Sequence, residues 1–112
     1  MTMKVHAHAA DEPGSELEPF TYDIDQIDAF GCVVEVEACG LCRSDLHMLD
    51  DDWQMSDYPL VPGHEIVGHV VELGGEVDHL EVGQRVGIGW QKSSCLHCQD
   101  CLRGDENLCD EA

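Results

Sequence analysis

Four cysteines near the C-terminus have the spacing of a metal site. Cys95, Cys98, Cys101 and Cys109 follow the pattern C-x2-C-x2-C-x7-C. A zinc ion bound by four thiolates needs sulfurs about 2.3 Å away at the corners of a tetrahedron. Two-residue gaps allow tight turns to bring neighbouring sulfurs to one ion, and the longer gap allows the chain to close the site. The pattern predicts a structural zinc site; the alternatives are buried apolar cysteines or a disulfide pair.

A second set of possible ligands lies upstream. Cys42 stands in C-G-L-C-R-S-D-L-H, and His64 and Glu65 stand in V-P-G-H-E-I-V-G. A thiolate, an imidazole and a carboxylate together suit a zinc ion with one open position, which is the catalytic kind of site. Taken alone, the Gly-His-Glu triplet is more often an ordinary entry to a strand.

Size and composition restrict the class of protein. The chain has 112 residues, 43% of them hydrophobic, so we expect one globular domain over residues 1–112 with a modest core. No apolar run reaches the length of a membrane span, and no membrane partner is expected. Seven cysteines, an odd number grouped largely as metal ligands, favour the reducing cytoplasm over a disulfide framework.

The charge is strongly negative. Five Lys and Arg oppose 24 Asp and Glu, which gives a net charge of −19. Binding to nucleic-acid phosphates is therefore not expected. The acids are dispersed along the chain, and lysine occurs only at Lys4 and Lys92. This distribution favours a halophilic surface, on which salt screens the repulsion, over an ordinary acidic protein.

The hydrophobic pattern predicts a mainly β domain that carries a zinc lobe over residues 91–112 and short helices. We expect strands over residues 3–9, 31–38, 65–73 and 82–90, the last one bent at its glycines. Residues 39–49 predict a turn into a short helix capped by Ser44 or Asp45. A loop with Pro59 and Pro62 follows, and Cys32 is expected in the strand core.

The order of these motifs resembles the zinc-dependent medium-chain alcohol dehydrogenases from about residue 17 to residue 109. The segments most similar to the cinnamyl alcohol dehydrogenase branch read D-W-Q-M-S-D-Y-P-L-V-P-G-H-E-I-V-G and G-W-Q-K-S-S-C-L-H-C-Q-D-C-L-R-G-D-E-N-L-C. The resemblance implies a GroES-like β-barrel catalytic domain, which a Rossmann domain follows in full-length members. It also implies interconversion of aldehydes and primary alcohols, usually with NADP(H).

The resemblance also implies roles for single residues. Cys42 and His64 would be catalytic zinc ligands, and Glu65 a ligand in the resting state or a group just beyond the ligands. Asp45 would orient the zinc-bound histidine. Arg43 stands where this branch often has His, and in other alcohol dehydrogenases an Arg there contacts the cofactor pyrophosphate. Ser44 and His47 would form a proton relay. The alternatives are a helix cap for Ser44 and a solvated surface group for His47.

The remaining cysteines, histidines and tryptophans receive no chemical role. Cys39 is common in this branch and is expected to pack against its neighbours. His69 and His97 are treated as bystanders, and Trp53 and Trp90 as packing or pocket-wall groups.

Parts of the full-length enzymes are not found in this sequence. There is no G-x-G-x-x-G, the dinucleotide fingerprint, and relatives use a further cysteine at the catalytic zinc. We therefore expect an inactive isolated chain, a filled structural zinc site and a partial or empty catalytic one. Exposed edges favour a homo-oligomer, and a separate Rossmann-domain chain is a second possible partner.

Three other functions are considered. A non-enzymatic zinc-binding scaffold or interaction module is the main alternative. A thiol redox protein would use Cys39-x2-Cys42, but the motif lacks a thioredoxin-like βαβ setting. A co-chaperonin role would depend on fold analogy alone.

Overall fold

The N-terminal part of the chain forms a β-hairpin in the computed structural model, which describes residues 3–91 and 93–111. Strand β1 (Met3–Ala9) pairs antiparallel with β2 (Glu18–Ile24). Strand β1 has its predicted bounds, whereas no strand was predicted at β2, because Pro19 indicated a break. In a two-stranded sheet β2 has a free edge, where a proline without an N–H group is tolerated. Met1, Thr2, Lys92 and Ala112 fall within the predicted domain and lobe but outside the described residues.

A second sheet has the order β3–β4–β5 and is antiparallel throughout. Its strands are β3 (Cys32–Gly40), β4 (Glu65–Leu73) and β5 (Arg85–Ile88). The prediction for β4 is confirmed at both ends, and that for β3 is confirmed within two residues. Strand β5 is shorter than predicted, because Gly83 adopts a turn conformation with φ of 93° before the strand begins.

The helices are short, as predicted. Helix α1 (Arg43–Leu49) follows β3, and helix α2 (Gln99–Leu102) and a 3-10 helix (Glu106–Leu108) lie in the cysteine lobe. The N-cap residue of α1 is Cys42 rather than Ser44 or Asp45. Asp45 closes the first turn from inside the helix, because its Oδ2 accepts a hydrogen bond from the Cys42 amide at 3.1 Å.

The interior of the described residues is small. The buried hydrophobic residues are Ala9, Ala10, Val70, Cys101 and Cys109, and Val70 is the largest that is fully enclosed. Ala10 joins the hairpin to the loop before β4 through two backbone hydrogen bonds with Leu60, each 2.9 Å long. Cys32 is exposed, so the prediction that it lies in the strand core is wrong. Cys39 is exposed as well, but its sulfur lies beside Gly63, in agreement with the prediction that it packs against its neighbours. The outward-facing positions of β3 account for the exposure of both, since neither side of that strand is fully covered.

None of the helices in the described ranges has the length and apolar character that a bilayer crossing requires.

Candidate metal centres

The upstream set of ligands assembles where α1 and β4 begin. Cys42 precedes the first turn of α1, His64 is the last residue before β4, and Glu65 is its first residue. One ligand atom from each of the three lies within 4.8 Å of the other two. The structure thus brings together residues that are 22 positions apart in the sequence.

Asp45 fixes two of these three residues at once. Its Oδ1 lies 3.0 Å from His64 Nδ1, and its Oδ2 accepts from the Cys42 amide at 3.1 Å. Among the described residues, Asp45 is the one charged residue that is buried, with 8% of its surface exposed. Because the carboxylate accepts from Nδ1–H, the other imidazole nitrogen, Nε2, keeps its lone pair for a metal.

Close backbone approach at two glycines makes room for this arrangement. A Cβ added to Gly63 would lie 2.7 Å from Cys39 Sγ, and one added to Gly40 would lie 3.1 Å from Glu65 Oε2. Gly63 also has φ of 122°, which side chains rarely adopt. These two glycines therefore allow the end of β3 and the start of β4 to hold the ligands close together.

Aromatic rings form one wall beside the ligands. The His64 ring meets the Trp90 ring edge-on with centroids 4.9 Å apart, and Trp90 meets Trp53 in the same manner at 6.3 Å. The His47 ring lies 5.0 Å from Trp53. The sequence interpretation of both tryptophans was as packing or pocket-wall groups; their rings pack against each other and beside the two histidines. An apolar wall beside a polar donor set is the usual composition of a small-molecule site.

The residues predicted for proton and cofactor contacts lie on α1. His47 Nδ1 is 2.8 Å from Asp52 Oδ2, while Ser44 is half-buried three residues before His47, on the same helix face. Arg43 is exposed. Asp52 received no role from the sequence, because it lies beyond the end of α1 and reaches His47 only where the following loop folds back.

The donor set fits zinc. Thiolate, imidazole and carboxylate are the ligand types of catalytic zinc sites, and the Asp45–His64 pair is the usual support of a zinc-bound histidine. Three protein ligands leave a fourth position open. The individual roles of these residues remain predictions.

The four C-terminal cysteines form the second centre. Their sulfurs all lie within 4.8 Å of one another, and Cys101 and Cys109 are buried. Backbone amides point at the sulfurs, which favours thiolates. The amides of Cys98 and His97 donate to Cys95 Sγ at 3.2 and 3.4 Å. The Cys101 amide donates to Cys98 Sγ at 3.4 Å. The amides of Cys95 and Glu111 both donate to Cys109 Sγ at 3.4 Å.

The neighbouring sulfurs oppose ionisation of the Cys98 thiol. The amide of Cys101 lowers the pKa of the Cys98 thiol, but the Cys101 thiol, loss of solvent and the two other sulfurs together raise that pKa to about 12. A divalent cation bound among the sulfurs would reverse this preference, because ligating thiols bind as thiolates. Four sulfurs at this spacing with several amide donors fit a closed structural zinc site.

Comparison with known proteins identifies the family. The alcohol dehydrogenase GroES-like domain matches residues 29–112, well over half of the chain. The chain belongs to this family. The predicted GroES-like fold and the resemblance to the cinnamyl alcohol dehydrogenase branch are confirmed.

Individual relatives agree with this assignment. An aldehyde reductase (AdhA) from Synechocystis is 47% identical over 108 residues, which are 96% of this chain and 32% of the relative. The solved structure of a cinnamyl alcohol dehydrogenase from Sorghum bicolor has a TM-score of 0.91 and 34% identity, covering 96% of this chain and 31% of that one. A cinnamyl alcohol dehydrogenase structure from Helicobacter pylori, complexed with NADP(H), has a TM-score of 0.93 and 27% identity, covering 98% and 32%. The chain thus spans about a third of the length of these relatives.

Proposed function

We propose that this chain is the zinc-binding catalytic segment of an oxidoreductase that interconverts aldehydes and primary alcohols. The observation that carries the proposal is the Cys42–His64–Glu65 donor set, supported by Asp45 and lying beside the aromatic wall. The names of the relatives support the substrate class, since they include an aldehyde reductase and several cinnamyl alcohol dehydrogenases.

In this proposal the donor set holds a zinc ion through Cys42, His64 and Glu65. The bound metal would act as a Lewis acid that polarises the substrate oxygen. The task of Asp45 is to keep His64 in one tautomer and Cys42 in position, so that the ligand geometry is set before substrate binds. The exposed rings of Trp53 and Trp90 would provide a surface for an apolar substrate.

Protons would leave the site along α1. Ser44 can donate and accept through one hydroxyl, and His47 can take a proton and hold it against the Asp52 carboxylate 2.8 Å away. The contact with Asp52 would orient the His47 ring, which also lies 5.0 Å from the Trp53 ring. We propose this relay for both reaction directions.

The hydride would come from NADP(H) bound outside the described residues. The cofactor in the Helicobacter pylori relative supports this choice, and the exposed Arg43 is available for a pyrophosphate contact. The sequence contains no dinucleotide fingerprint, and hydride transfer requires the nicotinamide to be held against the substrate. We therefore propose that the isolated chain has no dehydrogenase turnover. We also propose, from its many unpaired cysteines, that the protein functions in the reducing cytoplasm.

The test is a chimera that joins this chain to the remaining two thirds of the Synechocystis aldehyde reductase. We expect it to oxidise NADPH with cinnamaldehyde or benzaldehyde, while the isolated chain gives no more than a zinc-only control. His64→Ala should abolish turnover in the chimera, whereas His79→Ala, at an exposed histidine outside the site, should not. A folded, zinc-loaded chimera without turnover would contradict the proposal and favour the non-enzymatic zinc scaffold.

We also propose that the chain associates with itself or with a separate nucleotide-binding chain. Large apolar side chains are exposed on both the sheet region and the lobe; Leu41 is 96% exposed, Phe30 78% and Leu102 75%. Such exposure is typical of surfaces that another protein covers. Sedimentation at tens of micromolar would contradict self-association if it showed a clean monomer, and a pull-down tests the second partner.

A further inference from the structure

A third set of ligand atoms lies on the outer side of the cysteine lobe. Cys95, His97 and Glu111 each offer an atom within 4.8 Å of the other two. His97 and Glu111 are exposed, whereas Cys95 is half-buried and also belongs to the four-cysteine cluster. One sulfur is thus shared by an inner set of four thiols and an outer set that faces solvent.

Backbone contacts hold the outer residues in register with the inner cluster. The His97 amide donates to Cys95 Sγ and the Glu111 amide donates to Cys109 Sγ, both at 3.4 Å. The two residues come from opposite ends of the lobe, since His97 follows the first cysteine and Glu111 follows the last. The fold of the lobe therefore brings His97 and Glu111 together beside Cys95.

The inner cluster is poorly accessible to an ion from solvent. Cys101 and Cys109 are each only 7% exposed, so a hydrated zinc ion cannot meet all four sulfurs in one step. It must lose its water in stages and gain protein ligands in exchange. Imidazole and carboxylate bind zinc while they remain solvated, and a carboxylate also attracts the cation.

We propose that Cys95, His97 and Glu111 form an entry site at which zinc is captured before it moves into the four-cysteine cluster. The inference depends on the zinc-loaded lobe of the proposed function. As the ion moves inward, the His97 nitrogen and the Glu111 oxygen leave it while the sulfurs of the three inner cysteines bind as thiolates. Each entering thiol releases its proton to solvent, and Cys95 remains bound throughout. Exit follows the same route in reverse.

Metal exchange in the folded chain tests this proposal. The lobe is loaded with Co²⁺, whose four-thiolate form has a characteristic absorption, and loss of that absorption is followed after excess Zn²⁺ is added. His97→Ala and Glu111→Gln should each slow the exchange by about tenfold, which is about 1.4 kcal/mol on the exchange barrier, because each removes one of the two solvated ligands that capture the ion. The equilibrium affinity of the lobe for Co²⁺ should change much less, because neither residue binds the ion in the final state.

Two controls separate ligation from charge and from general effects of mutation. Asp110→Asn removes the same charge as Glu111→Gln from the adjacent exposed position, and His79→Ala removes an exposed histidine elsewhere. Both should exchange at the rate of the unmodified chain. Equal slowing by Asp110→Asn would overturn the proposal in favour of simple charge attraction.

The remaining outcomes are also decisive. Exchange rates that stay within twofold in both variants would overturn the entry site. A fall in affinity that matches the fall in rate would overturn it as well, because the residues would then be permanent ligands. Two Co²⁺ ions bound stably in the lobe would show a shared cluster instead of a transfer route. Failure of the lobe to bind Co²⁺ with four thiolates would contradict the structural zinc site itself, a different result from unaltered exchange.

Discussion

Asp45 is the residue that connects the start of α1 to the start of β4. One carboxylate oxygen accepts from the imidazole of His64, and the other accepts from the Cys42 amide. Both contacts need an acceptor, so the side chain must present oxygen on both sides. The two oxygens of the Asp45 side chain offer one acceptor to each contact.

We predict that Asp45→Asn weakens zinc binding at the upstream site by about 10- to 100-fold, the range seen for partners of zinc-bound histidines. An asparagine has one acceptor oxygen, so its NH₂ group must face either the Cys42 amide or the His64 N–H. A donor would then meet a donor and displace one of the two ligands. Zinc titration followed by native mass spectrometry measures the effect.

The four-cysteine lobe is an internal reference for that experiment, because its zinc should be retained in the variant. Asp57→Asn, at an exposed aspartate of the following loop, should leave both sites unchanged. Unaltered zinc binding in Asp45→Asn would show that Asp45 does not act through the ligands.

The ligand residues were predicted from sequence, and so was the support from Asp45, which the family resemblance implied; the other surrounding groups were not. Cysteine, histidine and glutamate carry a chemical signal in their types and spacing, so both donor sets were named from sequence. Asp52 and the edge contact of Trp90 with His64 depend on where loops fold back onto α1 and β4, which spacing does not encode. The outer set with His97 was missed for the same reason, since Glu111 reaches it only through closure of the lobe.

The entry to β4 depends on a glycine in a restricted conformation. Gly63 combines a positive φ with a close approach to Cys39, and His64 follows it directly. Gly83 has a positive φ as well, but open space surrounds the position of its missing Cβ. A comparison of alanine substitutions at the two glycines therefore separates the cost of backbone strain from the cost of steric contact.

We predict that Gly63→Ala destabilises the chain by more than the roughly 1–3 kcal/mol expected for backbone strain alone, and that it lowers zinc occupancy at the upstream site. Gly83→Ala should show only the backbone effect. Chemical denaturation and zinc analysis of both variants test this. Equal effects of the two substitutions would show that the contact with Cys39 is unimportant.

The loop after α1 satisfies the carbonyl groups at the end of that helix. The Tyr58 hydroxyl donates to the Leu49 carbonyl at 2.9 Å, and the Ser56 hydroxyl donates to the Met48 carbonyl at 2.6 Å. These carbonyls have no partner within the helix, so the loop acts as its C-terminal cap. Loss of solvent and the charges of Asp51 and Asp50 raise the pKa of Tyr58, while the Ser56 side chain lowers it to a smaller extent.

This shift predicts a dependence of stability on alkaline pH. A raised pKa in the folded chain means that folding favours the neutral phenol of Tyr58. The contribution of this phenol to stability is therefore complete below the unfolded pKa of about 10. It is lost as the pH rises through the pKa of the folded chain. Tyr58→Phe should remove that part of the alkaline decline, and Tyr22→Phe, at an exposed tyrosine, should not. Denaturation curves from pH 8 to pH 11 test this; identical alkaline declines in all three chains would contradict it.

Strands rich in Val and Ile were predicted correctly from the sequence, whereas segments that also contain proline or several glycines were not. Strand β4 is rich in Val and Ile and ends before Gly74-Gly75, so both of its ends were predicted. Strand β2 contains Pro19 and the acids Glu18 and Asp23, and it is stabilised by its pairing with β1. Strand β5 was overestimated because its flanking glycines bend the chain away from the sheet. Pairing partners and bends of this kind are tertiary effects, which local sequence does not specify.

At the scale of the whole molecule, repulsion between acids is the dominant charge effect. The described residues offer few cations to offset it; Arg85 pairs with Glu37, and Arg103 pairs with Asp100 and Asp105. Most of the 24 acids therefore depend on dissolved ions for screening. The halophilic character predicted from composition depends on this imbalance.

We predict that the melting temperature rises as KCl is increased from millimolar to molar concentration. The screening length shortens from about 30 Å at 0.01 M to about 3 Å at 1 M, which removes most repulsion between surface charges. A variant with Glu16→Gln, Asp23→Asn and Asp25→Asn, all at exposed positions, should have a weaker salt response. A melting temperature that is flat with salt would contradict a halophilic surface.

The small interior has a consequence for calorimetry. Unfolding raises the heat capacity because apolar groups become hydrated, by about 12–15 cal/mol/K per residue in ordinary domains. Among the described residues, Val70 is the largest hydrophobic side chain that is fully buried in the folded state. The heat-capacity change of unfolding per residue should therefore fall below that range. The curve of stability against temperature would then be shallow, with cold denaturation far below freezing.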